Sequence, residues 1–450
     1  MIEKILKFAD DYNMLPEAGL VLICVSGGAD SMCLVEALRH ISSQRGFLVG
    51  VLHFNHKLRG EESNRDEDFV RKYCKRGEVP FYLGDGDVRH YAKQNGLSIE
   101  TAARDMRYDF FYRMADKLKA EKIATAHNAD DNIETILINL ARGAGTNGMS
   151  GIPPIRGRVI RPMLNVSRDE VISFLCEHEI AYVEDSTNSD DIYTRNRIRH
   201  HVIPILKEIN PRLTEAAGTT AMLMREDEQM LSEMADLFIM DMCDGQTANC
   251  VDILNLPTAI SRRVVRKLCG GNLSFKHVSD ILDLCKNNMP SVQLSLPGMI
   301  VYRDYEKIVF GADGEFEKDG FEELYPADGV SMIINGTGLK MSCKSVVFDD
   351  KIGKVNKSLT SFLFKSVDTY GTISVRSRRE GDKIKLLGQN GTKTLKKLFI
   401  ERRVPARKRS LFPVIADSKG ILAVYGLGRG ERLIPQSGDI ALQIDFEEIH

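Results

Sequence analysis

The chain has 450 residues, 43% of them hydrophobic and 28% charged, a length that sets a prior of about three domains and a composition that can fill several cores. Lys plus Arg number 61 against 63 Asp plus Glu, so the net charge of −2 excludes a uniformly polycationic or polyanionic chain and leaves any polyanionic partner to local charge. No apolar run approaches the ~18 residues of a membrane span, and nine cysteines without a C-x-x-C pair argue for buried free thiols over a disulfide framework or a zinc ribbon.

The opening "MIEKILKFADDYNML" reads as an acidic amphipathic helix and not as a cationic leader, which predicts a cytoplasmic protein with no membrane association. From residue 20 to about 130, β-rich runs alternate with helical periods. "GLVLICV" precedes a helix from about Asp30, "GFLVGVLHF" precedes a helix near Asp66 to Lys75, and "VPFYL" precedes the helix "IETAARDMRYDFFYRMADKLKA" and then "KIATAH". Strand and helix alternating in this way predict crossover connections and a doubly wound parallel sheet covered on both faces, with ligands at the carboxyl ends of its strands.

"SRDEVISFLCEHEI" opens with Ser167 three residues before Glu170, a capping box ahead of a helix, and "NRIRHHVIPILKEINPRL" reads as a basic helix that Pro211 ends. A boundary is placed near 212. Beyond it, Met and Leu recur at helical spacing through "TEAAGTTAMLMREDEQMLSEMADLFIMDMC", read as a core-packing stripe. Two further helices and the alternating runs "SVQLSL" and "MIVYRDYEKIVF" follow, then a polar, glycine-rich linker over 311–330. From about 331 short alternating runs predict a small strand-rich domain.

The first strand ends in "SGGADS", which satisfies neither G-x-x-x-x-G-K-[ST] nor G-x-G-x-x-G. What remains is a strand, a turn made permissive by Gly27 and Gly28, and a helix start whose free N–H groups suit an anion, with Ser26 and Ser31 adding hydroxyls. A carboxylate at Asp30 would repel a bare phosphate. It makes sense where a magnesium ion bridges it to a pyrophosphate, or where it caps the helix. The next strand ends among His53, Asn55, His56 and Arg59. Arg104 and Arg107 share a helix face beside aromatic residues, and either solvate a surface or reach a site. His127, Asp130, Asp131 and Glu134 stand at the start of a helix, where three acids either suit the dipole or hold a cation. Arg195, Arg197 and Arg199, with His200 and His201, follow an acidic turn. Residues 372–411 carry 13 Lys or Arg against 3 Asp or Glu, a local balance of +10 that is the electrostatic footprint of nucleic-acid binding.

The loop "SGGADS" after a buried strand resembles the PP-loop of the ATP pyrophosphatase superfamily, whose members cut ATP between the α and β phosphates. Together with "HNADDNIETILINLARGAGTNGMSGI", "RPMLNVSRDEV", "DSTNSDDIYTRNRIRHHVIPIL" and "RSRREGDKIKLLGQNGTKTLKKLFIERRVPARKRSLFPVI", it resembles the bacterial tRNA(Ile)-lysidine synthases nearly end to end. That family has two adjacent histidines before the acids. Asn128 fills the second place here.

The resemblance implies an α/β chain: a doubly wound parallel-sheet PP-loop domain of the adenine nucleotide alpha hydrolase-like kind over 1–212, a mainly helical middle domain over 213–330 and a small α+β, basic, tRNA-binding domain over 331–450. It implies ATP-dependent joining of free lysine to C2 of the first-anticodon-position cytidine of a CAU-anticodon isoleucine tRNA, through an adenylated cytidine. It assigns ATP to Ser26, Gly27, Gly28, Ala29, Asp30, Ser31, His53 and Asn55, and Mg²⁺ to Asp30. Catalysis falls to Asp30, Arg104, His127, Asp130, Asp131, Glu134 and Arg195, with the three acids on either lysine or a second magnesium. The tRNA falls to Arg197, Arg199, Arg376, Arg378, Arg379, Lys393, Lys396, Lys397, Arg402 and Arg403, and a homodimer is left open. Rival expectations are a tRNA thiolase on the same loop, which often needs the paired cysteines absent here, and a non-catalytic RNA-binding protein that responds to ATP.

Overall fold

The computed structural model describes residues 1–58, 60–184, 194–270, 273–287, 289, 291–312, 320–349, 359–366 and 373–449. Arg59, the acidic turn before Arg195 and part of the proposed linker lie outside them. The chain divides into two compact units, Met1–Met230 and Leu231–His450.

The first unit runs α1 (Ile2–Asp11), β1 (Leu20–Cys24), α2 (Ala29–Arg45), β2 (Leu48–Asn55), α3 (Glu61–Arg76), β3 (Phe81–Asp85), α4 (Val88–Asn95), α5 (Ile99–Leu118), β4 (Lys122–Ala124), α6 (Ala129–Ala141), α7 (Thr146–Met149), β5 (Ile155–Arg156), β6 (Val159–Ile160) and α8 (Arg168–Glu177). Its six-stranded sheet has the order β3-β2-β1-β4-β6-β5, parallel except for β5. Strand residues alternate between two cores because successive side chains point to opposite faces. Val21, Ile23, Val51 and Ala124 join α1, α2, α3 and α8 on one face, whereas Leu22, Leu52, Ile123 and Val159 pack on Phe110, Phe111 and Ala115 of α5 on the other. Both faces are therefore covered, as a parallel sheet requires.

The chain leaves β1 toward β2 and β3, then returns to β4 on the opposite side of β1. That reversal makes the carboxyl ends of β1 and β4 a topological switch point, the crevice where open α/β sheets bind ligands. Two of the motifs singled out in the sequence, the turn before α2 and the turn before α6, flank it.

After α8 come α9 (Thr194–Arg197), a π-helical turn over Ile198–Val202, α10 (Ile203–Ile209) and the 30-residue α11 (Leu213–Met242). Along α11 the expectation of a buried methionine stripe is overturned. Leu231, Phe238 and Ile239 pack around the buried Ala235, but Met230, Met234, Leu237 and Met240 are exposed. At 100° per residue these four fall outside the narrow face set by 231, 235, 238 and 239.

The second unit starts within α11, at Leu231, and goes on through β7 (Thr247–Asn249), α12 (Cys250–Asn255), α13 (Thr258–Leu268), α14 (Phe275–Lys286), β8 (Ser291–Leu296), β9 (Met299–Asp304) and β10 (Lys307–Ala312), the strands forming an antiparallel sheet in the order β7-β10-β9-β8. The middle region thus joins helices to a sheet whose alternation "SVQLSL" already displayed. It continues with β11 (Ser331–Ile334), β12 (Leu339–Val347), β13 (Ser361–Lys365), β14 (Ser374–Arg376), the two-residue strands β15 (Lys383–Ile384) and β16 (Lys393–Thr394), α15 (Leu395–Glu401), β17 (Val414–Asp417), β18 (Gly420–Val424), β19 (Gly428–Arg429) and β20 (Ile440–Glu448). Two four-stranded sheets, β11-β12-β20-β13 and β14-β17-β18-β19, share one core that includes Phe362, Phe364, Ile415 and Ile444. Leu398 and Phe399 anchor α15 in a second core, leaving Lys396 and Lys397 exposed.

Candidate active site

A cavity of about 650 Å³ opens at the switch point, lined from β1 and its turn, from β2, from α5 and from β4 and its turn. After β1 the chain makes the turn by placing Gly27 at φ +97°, a conformation that L side chains avoid, and then starts α2 from Gly28. No side chain caps α2, so its first amide N–H groups stay open to an anion. The turn is braced by its two serines: Ser31 Oγ donates to Gly28 O at 2.8 Å, Gly27 N–H donates to Ser31 Oγ at 3.2 Å, and the two hydroxyls lie 3.2 Å apart.

Asp30 does not cap the helix. One carboxylate oxygen accepts from Asn128 Nδ2 at 2.9 Å and the other from Arg168 Nη1. Burial pushes its pKa up, opposed by the guanidinium of Arg168 and both hydrogen bonds. Each oxygen keeps a second lone pair, so Asp30 can give a divalent cation one carboxylate ligand. No group of three His, Cys, Asp or Glu among the described residues could hold a metal by itself. That donor set fits magnesium, which takes one or two carboxylates and draws its other ligands from water and substrate phosphates.

Asn128 is the N-cap of α6: its Oδ1 accepts from Asp131 N–H at 2.9 Å while Asp131 Oδ2 accepts from Asn128 N–H at 3.1 Å. The cap orients the amide so that its NH₂ faces Asp30. His127 sits at the cavity wall with Nδ1 3.0 Å from Thr125 Oγ1. Burial, and the positive field of Arg161, Arg195, Arg107 and Arg104, push it down to about 3, so it is neutral at pH 7.

The three acids of α6 each meet a cation of the protein. Asp130 accepts from Lys207 Nζ at 3.1 Å and from the backbone N–H of Arg168 at 2.7 Å. Asp131 Oδ1 faces Arg199 at 3.5 Å. Glu134, fully buried, takes Arg199 Nε at 2.6 Å, and Arg195 Nε lies 3.0 Å from its other oxygen without hydrogen-bond alignment. Arg195 also donates to Thr135 Oγ1 at 2.9 Å. Of the three acids only Asp131 lines the cavity.

The structure therefore brings Ser26, Gly28, Asp30, Ser31, His53, Asn55, His127, Asp131 and Arg195 to one cavity, with Gly27 and the buried Ala29 behind its wall. His53 donates from Nδ1 to Val25 O at 2.8 Å, and Asn55 is spent on Glu67 at 2.9 Å and on the N–H of Lys57 at 3.0 Å, bonds that shape the wall. Arg104 lies beside the cavity with its guanidinium 5.0 Å from the ring centre of Tyr108, and Tyr108 itself lines the wall with Arg107. Arg197, two residues from each of Glu134's partners Arg195 and Arg199, is exposed.

One expectation for the C-terminal region is corrected. Arg376 is buried and holds Asp382 through two hydrogen bonds of 2.9 Å, so it serves the fold and is closed to a phosphate. Arg378, Lys396, Lys397 and Arg402 are exposed, while Arg379, Lys393 and Arg403 pair with Glu323, Glu401 and Glu306 at the surface.

Sequence reading missed Arg168, Thr125, Thr135, Lys207 and the contact of Asn128 with Asp30. Arg168 follows the Ser167 cap inside "RPMLNVSRDEV", and nothing in that local pattern says that it reaches a turn 138 positions earlier.

Residues 1–206 match the PP-loop domain family, and residues 373–445 match the TilS substrate C-terminal domain. The tRNA(Ile)-lysidine synthase of Caldanaerobacter subterraneus is 34% identical over 96% of this chain and 94% of its own, and that of Geobacillus kaustophilus is 33% identical over 95% of each. The one from Clostridioides difficile is 31% identical over the whole of both chains. The chain belongs to the tRNA(Ile)-lysidine synthase family. Membership accounts for the pairing of a PP-loop sheet with a separate basic module, and the lysidine synthase fold expected from sequence is the one observed.

Proposed function

We propose that the chain joins lysine to C2 of the first anticodon cytidine of a CAU-anticodon isoleucine tRNA, through an adenylated cytidine, releasing AMP and pyrophosphate. The observation that carries the reading is the convergence of an uncapped PP-loop turn and the start of α6 on one cavity at the switch point of the sheet. The thiolase and the non-catalytic alternatives are not favoured.

A ring carbonyl oxygen leaves poorly, and converting it to an adenylate makes its displacement by an amine feasible. The N–H groups at the start of α2, with Ser26 and Ser31, would hold the pyrophosphate end of ATP where charge develops as the α–β bond breaks. Magnesium, held by Asp30 and the phosphates, would neutralise that charge. His53 and Asn55 would shape the nucleotide wall. Arg104 and Arg195 would face the substrate base and its phosphate, and neutral His127 would orient it by hydrogen bonding. Asp131, the acid at the cavity wall, would meet the cationic groups of lysine, with Asp130 and Glu134 holding the arginine and lysine side chains around it.

An anticodon loop is already single-stranded, so presenting its base costs little. Residues 1–212 would carry the chemistry and the basic surface of 331–450 the tRNA, with 213–330 between them. No described helix is long and apolar enough to cross a bilayer. The test is direct. Labelled lysine incubated with ATP, magnesium and the CAU-anticodon tRNA should appear in the tRNA, and label that stays free would overturn the assignment.

A further inference from the structure

The contacts behind the nucleotide turn include a residue that the proposed reaction does not use. Arg168 opens α8. Its backbone N–H is fixed to Asp130 Oδ2 at 2.7 Å, and its guanidinium reaches across to Asp30. Asp30 is thus held from two sides, by a neutral amide on one oxygen and a cation on the other.

The two partners differ in their freedom to leave. Asn128 is 4% exposed and its amide also caps α6, so withdrawing it would break the capping box. The side chain of Arg168 is 41% exposed and sits on a long flexible stem, so its guanidinium can swing while the backbone stays anchored. A divalent cation that binds Asp30 has to compete with this guanidinium. A triphosphate lying along the start of α2 offers the same guanidinium another anion close by.

We propose that Arg168 is a positioning residue that acts as the exchangeable counter-ion of Asp30. It holds the carboxylate in the nucleotide-free enzyme and yields it to the divalent cation that arrives with ATP, its own charge passing to a phosphate oxygen. No partly buried charge is left without a partner before or after the exchange. The inference rests on the reading of Asp30 as a metal-contacting residue, and the experiment separates the two.

Mn²⁺ serves as the probe, its binding to the full-length protein followed by the electron paramagnetic resonance of the free ion, without nucleotide and with α,β-methylene-ATP. Wild type is expected to bind Mn²⁺ weakly without nucleotide and tightly with it. Arg168→Gln should bind Mn²⁺ without nucleotide roughly fivefold more tightly than wild type, the gain expected from removing a partly exposed competing ion pair. Arg168→Lys should restore wild-type weakness, and Asp30→Asn in the Arg168→Gln background should abolish the gain. A merely structural role would lower thermal stability and could not raise metal affinity. If Arg168→Gln gains nothing while Asp30→Asn still weakens Mn²⁺ in the nucleotide complex, the counter-ion proposal is wrong and the metal reading stands. If Asp30→Asn leaves Mn²⁺ binding in that complex unchanged, the metal reading itself is wrong.

Discussion

At the scale of single residues, the site is organised by charges that meet in pairs. Asp30→Ala should abolish pyrophosphate release while tRNA affinity in a filter-binding assay stays near the wild-type value, because the carboxylate belongs to the nucleotide turn and not to the basic surface. Asn128→Ala removes a cap and a donor together. Loss of the cap alone costs about 1 kcal/mol, and the uncompensated Asp30 oxygen adds to it, so a lowered urea midpoint is expected. Asn128→His should recover most of the loss, since a neutral imidazole also offers one acceptor and one donor. His127 gives the pH dependence. Its folded pKa of about 3 lies below the unfolded value of 6.5, so only the unfolded chain takes up this proton at mildly acid pH. Stability is then complete above about 6.5 and falls as pH drops, by at most about 1.4 kcal/mol per pH unit from this group. Between pH 6.5 and 5 the urea stability of His127→Gln should fall less steeply than that of wild type. Parallel slopes would show that the imidazole is not held neutral.

At the scale of elements, the turn between β1 and α2 carries both the fold and the chemistry. Gly27→Ala meets no hard obstacle, the nearest atom being Val70 Cγ2 at 3.4 Å, but φ +97° costs an L residue on the order of 1–3 kcal/mol. The variant should either lose that stability or re-form the turn with a raised ATP KM, and unchanged stability and KM together would mean that the turn tolerates a side chain. The turn was readable in the sequence because its signal is local: a buried strand, two glycines, a helix start. The same holds for the Ser167–Glu170 capping box and for the α6 acids, whose positions follow from spacing along one helix. What did not show was partnership across the chain. That Glu134 would be buried under Arg195 and Arg199, or that Asp30 would be met by Arg168, depends on which loops the sheet order brings to one edge. The α11 methionines mislead for the opposite reason, since helical spacing fixes which residues share a face and not which face finds a core.

At the scale of the whole molecule, the nearly neutral chain concentrates positive charge in its C-terminal region, and the fold sorts those charges into two kinds. Lys396, Lys397 and Arg402 are exposed on or just after α15, so changing all three to Ala should weaken tRNA binding and lower the slope of log affinity against log salt by roughly one per cation that contacts phosphate, with the fold intact. Arg376→Ala should do the reverse. It takes both guanidinium hydrogen bonds from the part-buried Asp382 and leaves it the backbone N–H of Arg379, a loss of about 1–3 kcal/mol seen as a fall in Tm, with little change in the salt slope. An unaltered slope in the triple variant would remove the surface around α15 from the tRNA contact. The central claim, that the PP-loop turn directs cleavage between the α and β phosphates, is tested most directly by following the nucleotide products of γ-labelled ATP in the presence of lysine and the isoleucine tRNA. Labelled pyrophosphate is expected, with one AMP for each lysine incorporated. Labelled orthophosphate with ADP as the companion product would contradict it.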